Sequence, residues 1–168
     1  MTSGTDLAKA REVLSGGIRP LTLQDLPEVL DIERQGYARP WTQGVFLDCF
    51  RSGYVALGIE QSDRLGGYGI LALMYDEAHL LNLCIRPACR GRGLARTLVR
   101  ELVAQAEQSA MARIILEVRV SNQSARRLYE SEGFELIGER HGYYPDVRGR
   151  ENALVMALGL SAPADPTA

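Results

Sequence analysis

The chain has few of the residues that build metal sites or disulfide frameworks. Its 168 residues include three cysteines, Cys49, Cys84 and Cys89, and two histidines, His79 and His141, which form no metal-ligand spacing. Because this spacing is missing, we predict no metal site. An odd and low cysteine count is typical of a reducing compartment, so we predict a cytoplasmic location. Cys84 and Cys89 are interpreted as small buried thiols, the alternative being a redox role.

An excess of charge of one sign and long apolar runs are also missing. The 19 basic and 21 acidic residues leave a net charge of -2, which argues against bulk nucleic-acid binding. No apolar run reaches the length of a membrane span, and the first residues lack the basic and apolar regions of a signal peptide. We therefore predict neither a nucleic-acid nor a membrane partner.

Two common phosphate-binding patterns are absent as well. The chain contains no Gly-Lys followed by Ser or Thr, which excludes the P-loop of nucleotide triphosphatases. The dinucleotide fingerprint G-x-G-x-x-G fits at Gly91 and Gly93, but Arg96 occupies its last glycine position. Pro87 also separates the preceding strand from this loop, so a dinucleotide fold is disfavoured.

A glycine- and arginine-rich loop is nevertheless present at Arg90-Gly91-Arg92-Gly93-Leu94-Ala95-Arg96. It follows the apolar run 80–85 and precedes the helical spacing of Leu94, Leu98 and Leu102, which predicts strand, loop and helix. Glycines allow a close approach of the backbone, and a helix start offers unpaired N–H groups and a positive dipole end. The stretch predicts a site for a phosphate-bearing ligand.

The rest of the pattern predicts the order β-α-α-β-β-β-α-β-α-β-β, starting with a strand at Ile18–Thr22. The first helix is expected to begin after Thr22 and run to about Glu33, and the last two strands are expected at 134–140 and 152–158. The fold class is α/β (α+β), with a central mixed, mostly antiparallel sheet flanked by helices. We predict one domain over residues 17–160, an N-terminal extension at 1–16 and a disordered tail at 161–168.

Several motifs together resemble those of the GCN5-related N-acetyltransferase (GNAT) family. Arg90, Gly93 and Ala95 satisfy its pattern Gln/Arg-x-x-Gly-x-Gly/Ala, and 116–122 (LEVRVSN) and 128–134 (LYESEGF) are similar to its later motif. Tyr143-Tyr144-Pro145 and 149–153 (GRENA) resemble one branch, the bacterial ribosomal-protein alanine N-acetyltransferases (RimI-like). The resemblance covers about residues 18 to 158.

The resemblance implies the GNAT fold and acetyl-CoA as cofactor, with CoA as product. It implies that the loop holds the pyrophosphate and that the end of the preceding strand pairs through its main chain with the pantetheine arm. A main-chain N–H of that strand would polarise the thioester carbonyl. The implied cofactor-binding residues are Leu83, Cys84, Ile85, Arg90, Gly91, Arg92, Gly93, Leu94, Ala95, Arg96 and Asn122, the last of which also caps a helix.

Two residues are candidates for proton transfer. Glu117 lies on the strand face opposite to Leu116 and Val118, and the resemblance implies a general base, the alternative being a cross-strand salt bridge. Nearby Arg119 would lower the pKa of Glu117 and burial would raise it. Tyr129 is the implied general acid, the alternative being a packed helix tyrosine. The chain has no G-x-S-x-G nucleophile motif, which favours direct attack in a ternary complex.

The acceptor is expected to be a protein N-terminus, specifically the N-terminal alanine of a ribosomal protein. Trp41, Tyr143 and Tyr144 fall in segments that flank the acceptor in the family, with a loop expected around Tyr143. Glu33 and Glu77 are candidates for attracting a basic substrate, the alternative being solvated surface. Acetylation of a small amine or lysine side chain, and a non-catalytic acyl-CoA-binding module, remain alternatives. A monomer or weak homodimer is expected.

Overall fold

The computed structural model describes residues 17–161. The predicted extension at 1–16 lies outside the described residues, as does the predicted tail beyond residue 161. The order of helices and strands is the predicted one. The elements are β1 (Ile18–Pro20), a 3-10 turn (Leu23–Asp25), α1 (Leu26–Gly36), α2 (Gln43–Arg51), β2 (Val55–Gln61), β3 (Arg64–Met74), β4 (Glu77–Ile85), a second 3-10 turn (Pro87–Cys89), α3 (Leu94–Gln108), β5 (Arg113–Arg119), α4 (Gln123–Ser131), β6 (Glu135–Asp146) and β7 (Gly149–Gly159).

The strands form the predicted mixed sheet, in which their order is β1-β2-β3-β4-β5-β7-β6. The pairs β1–β2, β5–β7 and β6–β7 are antiparallel, whereas β4 and β5 are parallel. The parallel pair requires a crossover connection, which α3 supplies. The register of that pair runs from Glu77 opposite Arg113 to Leu80 opposite Leu116, so Leu83, Cys84 and Ile85 follow the paired segment along β4.

The described residues pack as two compact units, and the first contains residues 17–70 together with Asn82–Leu98. Its core gathers the buried face of α1 and residues of α2, β3 and β4 around Phe46 and Tyr68. The first helix departs from the prediction because a 3-10 turn follows Thr22. Asp25 accepts the Thr22 N–H at 2.8 Å and holds this turn, and α1 begins only at Leu26.

The second unit contains Leu71–Leu81 and residues 99–161. On β5, Ile114, Leu116 and Val118 are buried, which confirms the predicted apolar face. Asn122 caps α4 as predicted, because its side-chain oxygen accepts the Ala125 N–H at 3.2 Å. Gly133, with φ +94°, follows the C-cap of α4, the left-handed position for which glycine is favoured.

The expected loop around Tyr143 is wrong: β6 continues through Tyr143 and Tyr144 to Asp146 and forms a long hairpin with β7. Tyr144 pairs with Glu151, and the register shifts between Arg140 and Tyr144, which marks an irregularity in the ladder. Because β6 is the outermost strand and is exposed along most of its length, no alternation of apolar residues predicts its continuation beyond residue 140.

Candidate active site

The glycine–arginine loop has the geometry of an anion-binding loop. Gly91 and Gly93 adopt φ +75° and +78°, a region that L side chains rarely occupy, and a methyl group at either would meet nothing within 4 Å. The Thr97 N–H donates to the Gly93 carbonyl at 3.1 Å, which places Gly93 at the N-terminal end of α3, where a helix presents main-chain N–H groups and the positive end of its dipole. A turn of this kind has the geometry that favours a phosphate-bearing ligand.

The base of the loop is fixed by the buried Arg86. Its guanidinium bonds to Asp31 at 2.9 Å, to Glu28 at 3.3 Å and to the Leu65 carbonyl at 3.0 Å. The main-chain N–H of Arg86 also donates to the Gly66 carbonyl at 2.7 Å. Arg86, the last residue before the 3-10 turn that leads into the loop, is therefore held by α1 and β3.

The end of β4 lies very close to β3. A methyl group on Gly67 would stand 2.8 Å from the Cys84 carbonyl oxygen and 3.3 Å from the Ile85 Cα. Side chains reach the main chain of this strand end, because the Tyr37 hydroxyl donates to the Leu83 carbonyl at 2.7 Å and Arg90 Nε donates to the Ile85 carbonyl at 3.3 Å. Leu83, Cys84 and Ile85 thus form a strand end whose placement is tightly determined.

The Cys84 thiol is buried and protonated rather than poised for attack. It donates to the Ile32 carbonyl at 3.7 Å, and burial, with the charge of Glu33, raises the pKa of the thiol to about 12. Since the thiolate is the nucleophilic form of cysteine, this environment does not favour an acetylated Cys84. All three cysteines are free and buried.

In the second unit, Glu117 forms the centre of a polar and aromatic cluster. Its side chain is 24% exposed, and Arg140 Nε lies 3.2 Å from Glu117 Oε1. A hydrogen bond to the Glu117 carboxyl is the largest cause that raises the pKa of the Tyr143 hydroxyl. The Tyr143 ring lies under the Arg140 guanidinium, 5.0 Å from the ring centroid.

Arg119, expected to act on Glu117, has a different set of partners. It bonds to Glu151 at 3.2 Å and to the Pro145 carbonyl at 3.1 Å, and its guanidinium lies 4.4 Å from the centroid of the Tyr144 ring. Glu151 also accepts the Ser121 N–H at 2.6 Å. These contacts connect the β6–β7 hairpin to the end of β5. The ion pair of Glu117 is formed with Arg140 and not with Arg119.

Tyr129 is buried on α4 and packs against Phe134, with ring centroids 5.6 Å apart. Burial, and to a smaller extent Tyr144, raises the pKa of the Tyr129 phenol well above its usual range. Burial and Glu117 likewise raise the pKa of Tyr144 to about 12. The hydroxyls of Tyr129 and Tyr144 therefore keep their protons at neutral pH.

The two acidic residues considered for a basic substrate have other roles. Glu33 is 1% exposed and accepts the Trp41 N–H, the Tyr68 hydroxyl and the Asn82 side chain. Glu77 pairs with Arg113 at 2.6 Å. Neither interpretation from the sequence, attraction or free solvation, describes Glu33, because it is a buried acceptor for three donors.

The structure also shows contacts that the sequence did not indicate. Glu33, Tyr68 and Asn82 form one buried cluster in the first unit, while Arg140 and Glu151 surround the Glu117 region in the second. Only Glu33 carried a signal, its helical spacing with the buried Leu26 and Leu30. Among the described residues, no three His, Cys, Asp or Glu side chains are grouped to hold a metal, and no helix is long and apolar enough to cross a membrane.

Comparisons with known proteins agree with this arrangement. The model of the Acetyltransferase (GNAT) family matches residues 18–134. The [ribosomal protein bS18]-alanine N-acetyltransferase of Salmonella typhimurium is 37% identical over 141 residues, covering 84% of this chain and 95% of the relative. The enzyme of the same name from Escherichia coli K12 is 36% identical over 144 residues, covering 86% and 97%.

Solved structures give the same result for the fold. The crystal structure of the ribosomal-protein-S18-alanine N-acetyltransferase from Escherichia coli matches with a TM-score of 0.82 and 34% identity, over 90% of this chain and 97% of that one. A Salmonella typhimurium structure that holds acetyl-CoA as its cofactor matches with a TM-score of 0.74 at 20% identity, which shows the fold alone. The chain belongs to the GNAT family and is an acetyl-CoA-dependent N-acyltransferase.

Proposed function

We propose that this GNAT enzyme acetylates the N-terminal α-amine of a protein, and specifically the N-terminal alanine of a ribosomal protein. The observation that carries the proposal is the similarity, over nearly the whole length of both chains, to relatives named for that reaction on bS18. A ribosomal protein as acceptor supports a cytoplasmic location, which is part of the proposal.

The donor side of the reaction rests on the first unit. Acetyl-CoA, when bound, supplies the activated acetyl group. The open turn with Gly91 and Gly93 holds the pyrophosphate through main-chain N–H groups, with Arg90, Arg92 and Arg96 contributing positive charge. A main-chain N–H of Leu83, Cys84 or Ile85 polarises the acetyl carbonyl, and Asn122 in the second unit is a proposed contact for the pantetheine amide.

Glu117 is the proposed general base. An α-ammonium group must lose a proton before it can attack, and a carboxylate can accept that proton directly or through one water. The Arg140 guanidinium holds the position beside the carboxyl that a substrate cation would take. Because the Arg140 side chain is 56% exposed, it can withdraw into solvent when an ammonium group arrives.

Tyr129 is the proposed proton donor to the departing sulfur. Its phenol is buried and has a raised pKa, so it is protonated at neutral pH, as a donor must be. Tyr143 and Tyr144 stand beside Glu117 and are proposed to contact the acceptor peptide, as is Trp41 in the first unit. The protonated Cys84 supports direct attack by the amine rather than an acetyl-enzyme.

The test is an acetyl-CoA assay with a panel of peptides that differ in their first residue, a peptide with a blocked N-terminus and an internal lysine, a polyamine and an aminoglycoside. We expect acetylation of free N-termini with a preference for alanine. Acetylation of only the polyamine, the aminoglycoside or the lysine would reject the proposal. Absence of transfer to every acceptor, with intact acetyl-CoA binding, would instead indicate a non-catalytic acyl-CoA-binding module.

A further inference from the structure

A buried carboxyl that the proposed chemistry does not use joins three segments of the first unit. Glu33 on α1 is 1% exposed. Its Oε1 accepts the Trp41 main-chain N–H at 2.9 Å, and its Oε2 accepts the Asn82 amide at 3.0 Å and the Tyr68 hydroxyl. All three partners are donors, so both oxygens of this buried carboxyl are satisfied, which a buried acidic group requires.

The same residues are connected a second time through their aromatic rings. The Trp41 ring packs on Phe46 at 5.3 Å between centroids, and Phe46 packs edge-on against Tyr68 at 5.7 Å. The Tyr68 hydroxyl in turn donates a hydrogen bond to the Glu33 carboxyl. Trp41 is therefore fixed both by its ring and by its main chain, although the segment 37–42 between α1 and α2 belongs to no helix or strand.

The main-chain bond has a particular consequence for Trp41. In a segment that belongs to no helix or strand, the main-chain N–H groups have no regular main-chain carbonyl partner. Each such N–H group needs another acceptor, such as a side chain. Glu33 supplies one for Trp41 from the core, while Asn82 and Tyr68 hold the carboxyl on its other side. The carboxyl of Glu33 thus fixes the main chain at Trp41 relative to Tyr68 on β3 and Asn82 on β4. Asn82 directly precedes Leu83, at the strand end that we propose binds acetyl-CoA.

We propose that Glu33 is a positioning residue for acceptor recognition: its carboxyl fixes the main chain at Trp41, and so the aromatic ring that contacts the acceptor peptide. This inference rests on the proposed function in that it takes Trp41 as an acceptor contact. It assigns Glu33 no contact with substrate or cofactor. The two hydrogen bonds of Glu33 have different roles: the bond to Trp41 sets the affinity for the acceptor, whereas the bond to Tyr68 contributes to the stability of the fold.

Three variants test this separation. Glu33→Met keeps the length of the side chain but removes both acceptors, and we expect the acceptor KM to rise about tenfold with kcat and the acetyl-CoA KM within about twofold. Glu33→Gln keeps one carbonyl oxygen for the Trp41 N–H and is expected to restore most of the acceptor KM. Tyr68→Phe is the matched control, because it removes one bond to the same carboxyl and leaves the Trp41 bond; it should lower Tm without changing the acceptor KM.

Trp41 is the only tryptophan in the chain, so its fluorescence reports its environment without any assay of activity. We expect a red shift of the emission in Glu33→Met and none in Tyr68→Phe. If Glu33→Met does not fold, Glu33→Asp takes its place, since its carboxyl is withdrawn by one methylene and cannot span Trp41 and Asn82 together. A folded variant with unchanged emission and unchanged acceptor KM would overturn the inference, as would an equal rise of acceptor KM in Tyr68→Phe.

The outcome for the proposed function is separate. If the wild-type enzyme acetylates no peptide N-terminus, the proposed function fails, and the emission of the Glu33 variants still decides whether Glu33 positions Trp41. If the wild-type enzyme acetylates peptides and the Glu33 variants behave as wild type in both readouts, only the inference fails.

Discussion

Replacement of Gly67 by alanine should weaken acetyl-CoA binding from outside the cofactor loop. The added Cβ would stand 2.8 Å from the Cys84 carbonyl oxygen, whereas ordinary contacts begin at 3.4 Å. The partner is main chain and not the flexible end of a side chain, so β3 and β4 must separate by about 0.6 Å at this point. That displacement acts on Leu83, Cys84 and Ile85, the strand end proposed to pair with the pantetheine arm.

Two quantities follow from this displacement. Overpacking of this kind costs about 1–3 kcal/mol of the free energy of unfolding, which corresponds to a Tm lower by about 2–12 °C for a chain of this size. A displacement of about 0.6 Å would break one of the proposed main-chain hydrogen bonds to the pantetheine arm. Such a bond contributes about 0.5–1.5 kcal/mol, so the Kd for acetyl-CoA should rise by up to about tenfold. Calorimetric titration with acetyl-CoA measures the Kd, and a thermal melt of the same sample measures Tm.

Gly159→Ala is the matched control, since a methyl group there meets nothing within 4 Å and the residue does not have a left-handed backbone. It should leave both the Kd and Tm within error. If Gly67→Ala lowers Tm as expected but leaves the acetyl-CoA Kd within about twofold, the end of β4 does not position the cofactor, and the assignment of Leu83, Cys84 and Ile85 to donor binding is wrong.

Three further changes have expected outcomes. Tyr129→Phe should lower kcat by about a hundredfold with little change in acceptor KM, measured by steady-state kinetics, because only the proton donor is removed; an unchanged kcat would restrict the residue to packing. Replacing Cys84 and Cys89 together by alanine should retain turnover within about twofold, since a buried protonated thiol is not a nucleophile. Asp25→Asn should cost about 2 kcal/mol, a Tm lower by about 4–8 °C near pH 7, because it breaks the pair with Arg19. Burial is the largest single effect on the Asp25 carboxyl and opposes its ionisation, but the hydrogen bonds from Arg19 and Thr22 and the charge of Arg19 together lower the carboxyl pKa. The contribution of Asp25 to stability therefore exists above the usual carboxyl range and disappears as the pH falls through the lowered pKa. Thermal melts between about pH 7 and 2.5 should show a smaller acid loss in the variant than in the wild type.

The parts of the fold that could be predicted from the sequence are those with a local signal. The alternation of Ile114, Leu116 and Val118 indicates one buried face of a strand, and the structure buries all three. Asn122 and Gly133 mark the two ends of α4 through cap chemistry that acts over a few residues. Period, caps and glycine turns are properties of neighbouring residues, so the sequence alone shows them.

The last two strands are predicted at 134–140 and 152–158, but the full length of the β6–β7 hairpin, which runs to Asp146 and continues from Gly149, could not be predicted in this way. Its outer strand is exposed on both faces over most of its length, so apolar alternation is missing, and its pairing partner lies on the far side of a turn. The burial of Glu33 was not predicted for a related reason. An acidic residue on a helix is usually solvated, and only the arrival of donors from Trp41, Tyr68 and Asn82, which lie 8 to 49 residues away, makes its burial possible.

The two halves of the proposed reaction therefore differ in how the sequence encodes them. The loop with Gly91 and Gly93 is encoded by consecutive residues, and its geometry depends on φ values that glycine alone adopts readily. The surroundings of Glu117 depend instead on Arg140, 23 positions away, and those of Arg119 on Glu151, 32 positions away. A loop motif can consequently identify the donor in a chain of unknown function, whereas the acceptor is decided by long-range pairs that a relative can change without altering the motif. Exchanging Arg140 or Glu151 should therefore change the choice and affinity of the acceptor while leaving acetyl-CoA binding intact.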